Sequence, residues 1–469
     1  MRTAALFLSF ALASGSARAD EVTDAAKAAA AASASETAPK KKLRPSPTKT
    51  TSTRPVEHLS TGGEDSEVIP RRDIPKQLEQ PEPPAPWLRW MLHPLKRGMW
   101  IRLPIMDTDP NRGVTIGVMP IWVLKEDGGE RIKQIHAPSL TYNKNFKLTP
   151  TYRYYYYPQE DATLIMRGSI GKFEREVMGH YEDQTFHGTD NDVILRAQYN
   201  VDAGQRFFGV GPDTSHDSEA NYKEDYLLLR IGGGRPLAAG SAWRAHVTDH
   251  LQAEAIRNGP LEGLPGFEKQ FPGLAPDHRH QTNELRATVD YDSRDNATTT
   301  SDGYYFQVFH ENAFRGFMSE YDYNRTGVDG RAFHKWSTPH KMVTAVQARG
   351  EQLYGNAPFW LLSKLGGKYS LRAYGEGRYV DRGVVFANVE QRFTVYDTKM
   401  GGVTTEFELA PFAGVGTVAS TPDRMSARYA RPVIGGAVRA VAKPQVVGSI
   451  DFGGGQEGLA VFMDINYSF

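Results

Sequence analysis

Few residues in this chain stand in a pattern that could do chemistry. His278 and His280 flank Arg279 in a Gly/Pro-rich stretch after Asp277, where two imidazoles at i and i+2 could grip a metal ion. Histidines so placed are usually solvated loop residues, and no metal is expected. Gly232-Gly233-Gly234 lacks the Lys-Ser/Thr that would make it a phosphate loop. It reads instead as a run that relieves crowding or kinks a strand. No serine carries the glycine pattern of a nucleophile elbow. Cysteine is absent, which removes disulfides, thiolate metal sites and cysteine nucleophiles together. No catalytic residue and no cofactor is expected, and the chain is not read as an enzyme. With 55 basic and 55 acidic residues the net charge is zero, so bulk charge gives a nucleic-acid partner no support.

The elements around these residues are strands. From Trp100 onward the hydrophobic period is two. In the last eleven residues Leu459, Val461, Met463, Ile465, Tyr467 and Phe469 share one face, and Ala460, Phe462, Asp464, Asn466 and Ser468 the other. In Glu284–Asp292, Leu285, Ala287, Val289 and Tyr291 alternate with Glu284, Arg286, Thr288, Asp290 and Asp292. One oily face and one charged face suits a half-buried soluble sheet or a membrane barrel with a wet lumen. Helical membrane spans are excluded, because no apolar run of about 18 residues occurs beyond the N-terminus. Mean hydropathy is -0.50. Forty-five glycines and 51 aromatic residues suit many short strands and turns.

The N-terminus separates from this pattern. Arg2, an apolar stretch from Ala4 to Ala13 and Ala17-Arg18-Ala19 before Asp20 read as a signal peptide over residues 1–19. Residues 20–86 hold ten prolines, an alanine run, a basic cluster at Lys40, Lys41, Lys42 and Arg44, and no Phe, Trp or Tyr. Such a segment buries too little apolar surface to offset its ordering entropy, and a disordered periplasmic linker is expected. Trp87, Trp90, Met91, Leu92 and Leu95 then fall at helical spacings, predicting a short amphipathic helix within 87–99. It would lie in a membrane interface or cap a barrel.

Three features favour the barrel: the signal peptide, the aromatic load, and Phe469 as the last residue with Tyr467, Ile465 and Met463 at alternate positions before it. That ending resembles the C-terminal signal read by the outer-membrane barrel assembly machinery. In hydrocarbon every amide needs an internal partner, so strands cross only as a closed barrel. Sixteen strands would leave about 23 residues each for strand and connection, and twelve or eighteen also suit a span of about 9–11 residues.

Leu371-Arg372-Ala373-Tyr374-Gly375, followed by Asn388-Val389-Glu390-Gln391-Arg392-Phe393, resembles the signature of the BamA/TamA superfamily of bacterial surface antigen barrels. Arg206-Phe207-Phe208-Gly209-Val210-Gly211-Pro212, Asp292-Ser293-Arg294-Asp295-Asn296 leading to Gly303-Tyr304-Tyr305, and Phe412-Ala413-Gly414-Val415-Gly416 point the same way. The likeness spans Trp100 to Phe469. It implies an all-β, closed antiparallel transmembrane barrel of sixteen strands over 87–469. It also implies weakly paired first and last strands and a long extracellular loop folded into the lumen.

The resemblance further implies that Arg372, at the loop tip beside Tyr374, meets carboxylates on the barrel wall, with Glu390 as the matching glutamate. An arginine in a narrow lumen needs such acceptors to offset its desolvation. The chain departs from the pattern at Ala373, where glycine is usual, and at Gly414, where aspartate is usual. An altered turn and a lost acceptor follow, and Glu406 or Glu408, on the face of Gly414, would compensate. The usual client-receiving POTRA domains have no counterpart in residues 20–86, so a barrel-only member is expected. The function implied is insertion or translocation of polypeptides at the bacterial outer membrane. The alternative is a passive pore or structural protein that has lost client handling. The partners implied are outer-membrane lipid, the assembly machinery for the chain's own insertion and a polypeptide client.

Overall fold

The computed structural model describes residues 90–469, apart from residues 128–130, 160, 277, 338–340, 401–402, 443–445 and 466. The signal peptide read over 1–19 and the linker over 20–86 lie outside the described residues. Among the described residues the architecture is all-β. One antiparallel sheet holds twenty strands, and a separate two-stranded hairpin pairs Ser363–Leu365 with Tyr379–Asp381. Sixteen strands were expected. Two of the extra members have local causes. Leu92–Leu95 is a short edge strand folded back on Gly98–Asp107. Ile132–His136 and Ser139–Asn143 both pair with the neighbouring strands Thr115–Lys125 and Lys147–Tyr156. Pro138, which has no N–H to give a ladder, lies in the break between them.

Of the segment 87–99 in which a short helix was expected, Trp90 and Met91 are helical, whereas Leu92–Leu95 and the residues from Gly98 are in strand. Pro94 and Gly98 suit a helix poorly, and Gly98 turns the chain with φ +138°. A Cβ at Gly98 would fall on the carbonyl oxygen of Val123, so the turn also needs close backbone approach. The apolar residues at helical spacing serve a sheet instead. Leu92 and Met99 pack with Met119, Ile121 and Val123 in one buried cluster.

The alternation read from the sequence becomes an inside-out arrangement. In Glu284–Asp292 the apolar Val289 is 40% exposed, while Asp290 and Asp292 are 1% and 0% exposed. Leu227, Leu229 and Ile231 likewise face outward on Ala220–Pro236. Charged side chains inside and aliphatic ones outside reverse the order of a soluble sheet and match a sheet whose outer face meets lipid. No described helix is long and apolar enough to cross a membrane.

The final strand departs from its expected pattern. It runs from Gly458 to Ile465, and residues 467–469 are no longer in strand. Val461 and Phe462 are both buried, so strict alternation has already failed. The edge of this strand meets that of Gly98–Asp107 without a ladder among the described residues. The bonds there are Thr108 N–H to the Val461 carbonyl (2.8 Å), Val461 N–H to Thr108 Oγ1 (2.9 Å) and Met463 N–H to Asp107 Oδ2 (3.0 Å).

Candidate functional site

Between the strands Met342–Asn356 and Gly383–Met400 the chain makes a long connection, residues 357–382, which carries the small hairpin. Its apolar residues Leu365, Leu371, Ala373, Tyr374 and Tyr379 pack against Val384, Phe386, Phe412, Val418 and Val433 of the wall. The connection therefore lies against the inner face of the sheet. Its tip is a tight turn, in which both Ala373 N–H (2.8 Å) and Tyr374 N–H (3.1 Å) donate to the Leu371 carbonyl. The Ala373 methyl faces Gly455, which leaves room for it.

Arg372, 1% exposed, extends from this tip into an ionic cluster. Its Nη1 lies 2.8 Å from Glu390 Oε2 and 3.7 Å from Asp451 Oδ2. Glu390 also accepts Arg392 Nε (2.8 Å) and both terminal nitrogens of Arg439 (2.6 and 2.7 Å). The Arg439 fork is the planar, two-toothed contact that a carboxylate accepts best. Ser449 joins Arg439 to Asp451, accepting from the former at 3.1 Å and donating to the latter at 2.6 Å. Phe412 supplies an aromatic face 3.5 Å from the Arg372 guanidinium carbon. Three guanidiniums and the carboxylates of Glu390 and Asp451 are thus buried together, where removing Glu390 would leave three cations without their common acceptor.

Backbone contacts fix the same geometry. A Cβ at Gly453 would fall on the carbonyl oxygen of Arg372, so glycine lets the loop lie directly on that strand. A Cβ at Gly414 would strike the Asn388 side-chain amide, and that amide donates to the Ser370 carbonyl at 2.9 Å. The departure at Gly414 thereby exchanges a carboxylate for an amide clamp on the loop. Burial raises the Tyr374 hydroxyl above its ordinary pKa, so it stays protonated. It donates to the Pro432 carbonyl (3.3 Å) and accepts Gln456 N–H (3.2 Å). On the other side, Lys368 Nζ (3.3 Å) and Tyr369 Oη (2.6 Å) both meet Asp464 on the final strand. The loop bridges the wall strand of Glu390 and the last strand of the sheet.

The residues expected to compensate at Gly414 behave differently. Glu406 pairs with Lys341 at 2.9 Å. Glu408 accepts the Tyr467 hydroxyl at 2.9 and 3.0 Å. The second acceptor for Arg372 is Asp451, from the strand Val446–Gly455. Asp451 and Arg439 were not singled out from the sequence. Their signal was faint but present, a single charge each within the apolar runs Ala437–Ala442 and Val446–Phe452.

Met463 and Ile465 sit on the last strand, whereas Tyr467 and Phe469 turn inward. The Tyr467 ring lies 3.7 Å from the guanidinium carbon of Arg392 and 4.9 Å from that of Arg439. Phe469 packs with Phe333 and Ala345, and its carbonyl accepts Arg392 Nη2 at 3.2 Å. The last residues thus place aromatic rings against an arginine-lined wall. Cation–π attraction in a desolvated pocket rewards that choice.

An Omp85 superfamily domain matches residues 162–439. The fold is similar to the crystal structure of BamA from Haemophilus ducreyi lacking POTRA domains 1-3, with a TM-score of 0.49 and 14% identity, covering 78% of this chain and 75% of that one. It is similar also to CdiB from Acinetobacter baumannii, with a TM-score of 0.42 and 10% identity, covering 78% of this chain and 59% of that one. No curated protein matches.

Proposed function

Because this chain belongs to the Omp85 superfamily of outer-membrane barrels, we propose that it inserts or translocates polypeptides through a seam between its terminal strands. In this reading the sheet would close there, with eighteen crossings if Ile132–His136 and Ser139–Asn143 are taken as one interrupted strand and Leu92–Leu95 as an edge cover. The observation that carries the reading is the edge contact between Gly98–Asp107 and Gly458–Ile465, a few bonds around Thr108 and Val461 in place of a ladder. Each missing ladder bond forgoes about 0.5–1.5 kcal/mol, and in hydrocarbon the freed amides seek any strand that can pair with them. A client strand satisfies that need by adding to the edge. The loop, held at its tip by Glu390 and tied through Lys368 and Tyr369 to Asp464, braces the last strand against opening too far.

A disulfide across the seam tests this, and the absence of native cysteine makes it unique. With Thr108→Cys and Val461→Cys, oxidised protein in lipid vesicles should lose the acceleration that wild type gives to insertion of a small unfolded outer-membrane barrel. Reduction should restore it. Equal acceleration in the locked form would remove the seam from the mechanism. No acceleration by wild type would favour the passive barrel.

We also propose that Met463, Ile465, Tyr467 and Phe469 act as an assembly signal in the unfolded precursor, before the last residues turn inward. Phe469→Asp should sharply lower the amount of barrel in the outer membrane. Arg392 beside it could still pair with the new carboxylate in the folded state, so the defect should be one of delivery. Wild-type levels of that variant would overturn the signal.

A further inference from the structure

The rim of the sheet that carries the inserted loop holds a cluster outside the ionic pocket. His280 opens the strand His280–Asp292, and His278, at a bend two residues before it, stacks its ring on that of His280 with centroids 4.0 Å apart. Arg279 points away and is pinned by Asp225 Oδ1 (2.6 Å) and by the carbonyls of Asp225 and Ala253 (3.0 Å each). The pin fixes the backbone between the two histidines and neutralises the nearest cation. Glu320, from the connection between Gly303–Ala313 and Asp322–Trp336, is clamped to the same strand. Its N–H donates to the Gln281 carbonyl (3.0 Å), and its Oε1 accepts Gln281 N–H (2.9 Å). That leaves Oε2 aimed at both imidazoles, 3.0 Å from His278 Nε2 and 2.8 Å from His280 Nδ1.

We propose that His278, His280 and Glu320 form a binding site for a divalent transition-metal ion of the zinc type. Two imidazoles and one carboxylate are the donor set such ions take, with an open fourth position. Bonds of about 2.0–2.1 Å in a tetrahedron put donor atoms about 3.3 Å apart. The distances here are a few tenths of an ångström shorter, and one donor atom from each residue lies within 4.8 Å of the others. An ion therefore enters by displacing imidazole protons and easing the cluster slightly open. The stacked Tyr321 ring holds the His280 imidazole in place, while Tyr321 Oη, 2.8 Å from its Nδ1, would give up that contact when an ion binds there. His278 is 55% exposed and gives the ion a path from solvent.

A second group, His250, Glu284 and Glu311, does not qualify. Arg286 and Arg325 already neutralise Glu311, and Tyr323 bonds Glu284. The rim site would join the connection 259–279 to the turn 314–321 beside Trp360 of the inserted loop, whose ring centroid is 5.8 Å from that of His280. Bound metal thus acts as a staple next to the base of that loop.

The test is equilibrium dialysis of the full chain, without a histidine tag, against zinc chloride, with calcium chloride in parallel. One equivalent of zinc and none of calcium should bind. His278→Ala and Glu320→Gln should each weaken binding by at least about tenfold, while His216→Ala, an exposed histidine elsewhere, should not. Zinc should also slow protease cleavage within 259–279 in wild type but not in His278→Ala. No bound equivalent, or equal binding in both ligand variants, would overturn the site.

Discussion

Glu390→Ala should lower the stability of the barrel by about 3–5 kcal/mol, the range for breaking a buried ion pair, against about 0–1 for an exposed one. The large value is expected because three guanidiniums, those of Arg372, Arg392 and Arg439, point at the one carboxylate. All three would remain buried. The loss should appear as a lower temperature for the gel shift between folded and unfolded forms, and as protease cleavage around Tyr369 to Asp381. Arg372→Ala should give the same cleavage with a smaller stability loss, because Arg392 and Arg439 still satisfy Glu390. The double variant should be less than additive. Lysine at 372 should rescue only partly, since a compact ammonium cannot replace the planar guanidinium over the Phe412 ring. Glu406→Gln serves as a control, its partner being Lys341. If Glu390→Ala and Arg372→Ala both match wild type, the loop is held by its apolar contacts and the brace on the last strand has no ionic basis.

Gly453→Ala should release the same loop without touching a charge. The added methyl would meet the Arg372 carbonyl, a backbone atom that cannot rotate away. Overpacking of this kind costs about 1–3 kcal/mol, and here the simplest relief is for the tip to lift from the wall. Protease sensitivity in 369–381 should therefore resemble that of Glu390→Ala. Gly436→Ala, on the adjacent strand where a Cβ would meet nothing within 4 Å, should be neutral. If Gly453→Ala leaves the loop protected, the strand bends to accept it and the close approach is not what seats the tip. In either variant, a freed loop should also loosen the hold of Lys368 and Tyr369 on Asp464. The seam variants then report whether that matters for insertion.

The sequence by itself determined that this chain is a sheet with one charged and one oily face. The pleat sends successive side chains to opposite sides, so Glu284–Asp292 carries its sidedness in its own order. Pro138, lacking an N–H, marks where one strand is interrupted, again a property of the residue alone. Arg372 and Glu390 could be paired only through a family likeness, because nothing local tells a loop arginine which strand it will meet. Tertiary structure decided the rest. Asp451 and Arg439 enter the pocket because the strands 431–442 and 446–455 lie beside the loop tip, a consequence of register. Glu406 and Glu408 share a face with Gly414, yet Lys341 and the inward-turned Tyr467 claim them. Period-two counting, already broken where Val461 and Phe462 are both buried, is lost altogether after Ile465, where an arginine-lined interior draws the aromatic rings of Tyr467 and Phe469 inward. The histidine pair became a candidate site only when the fold brought Glu320 to Gln281, 39 residues away in the chain. Local alternation fixes which face a side chain takes. Which partners it finds there depends on long-range register and on where an inserted loop comes to rest.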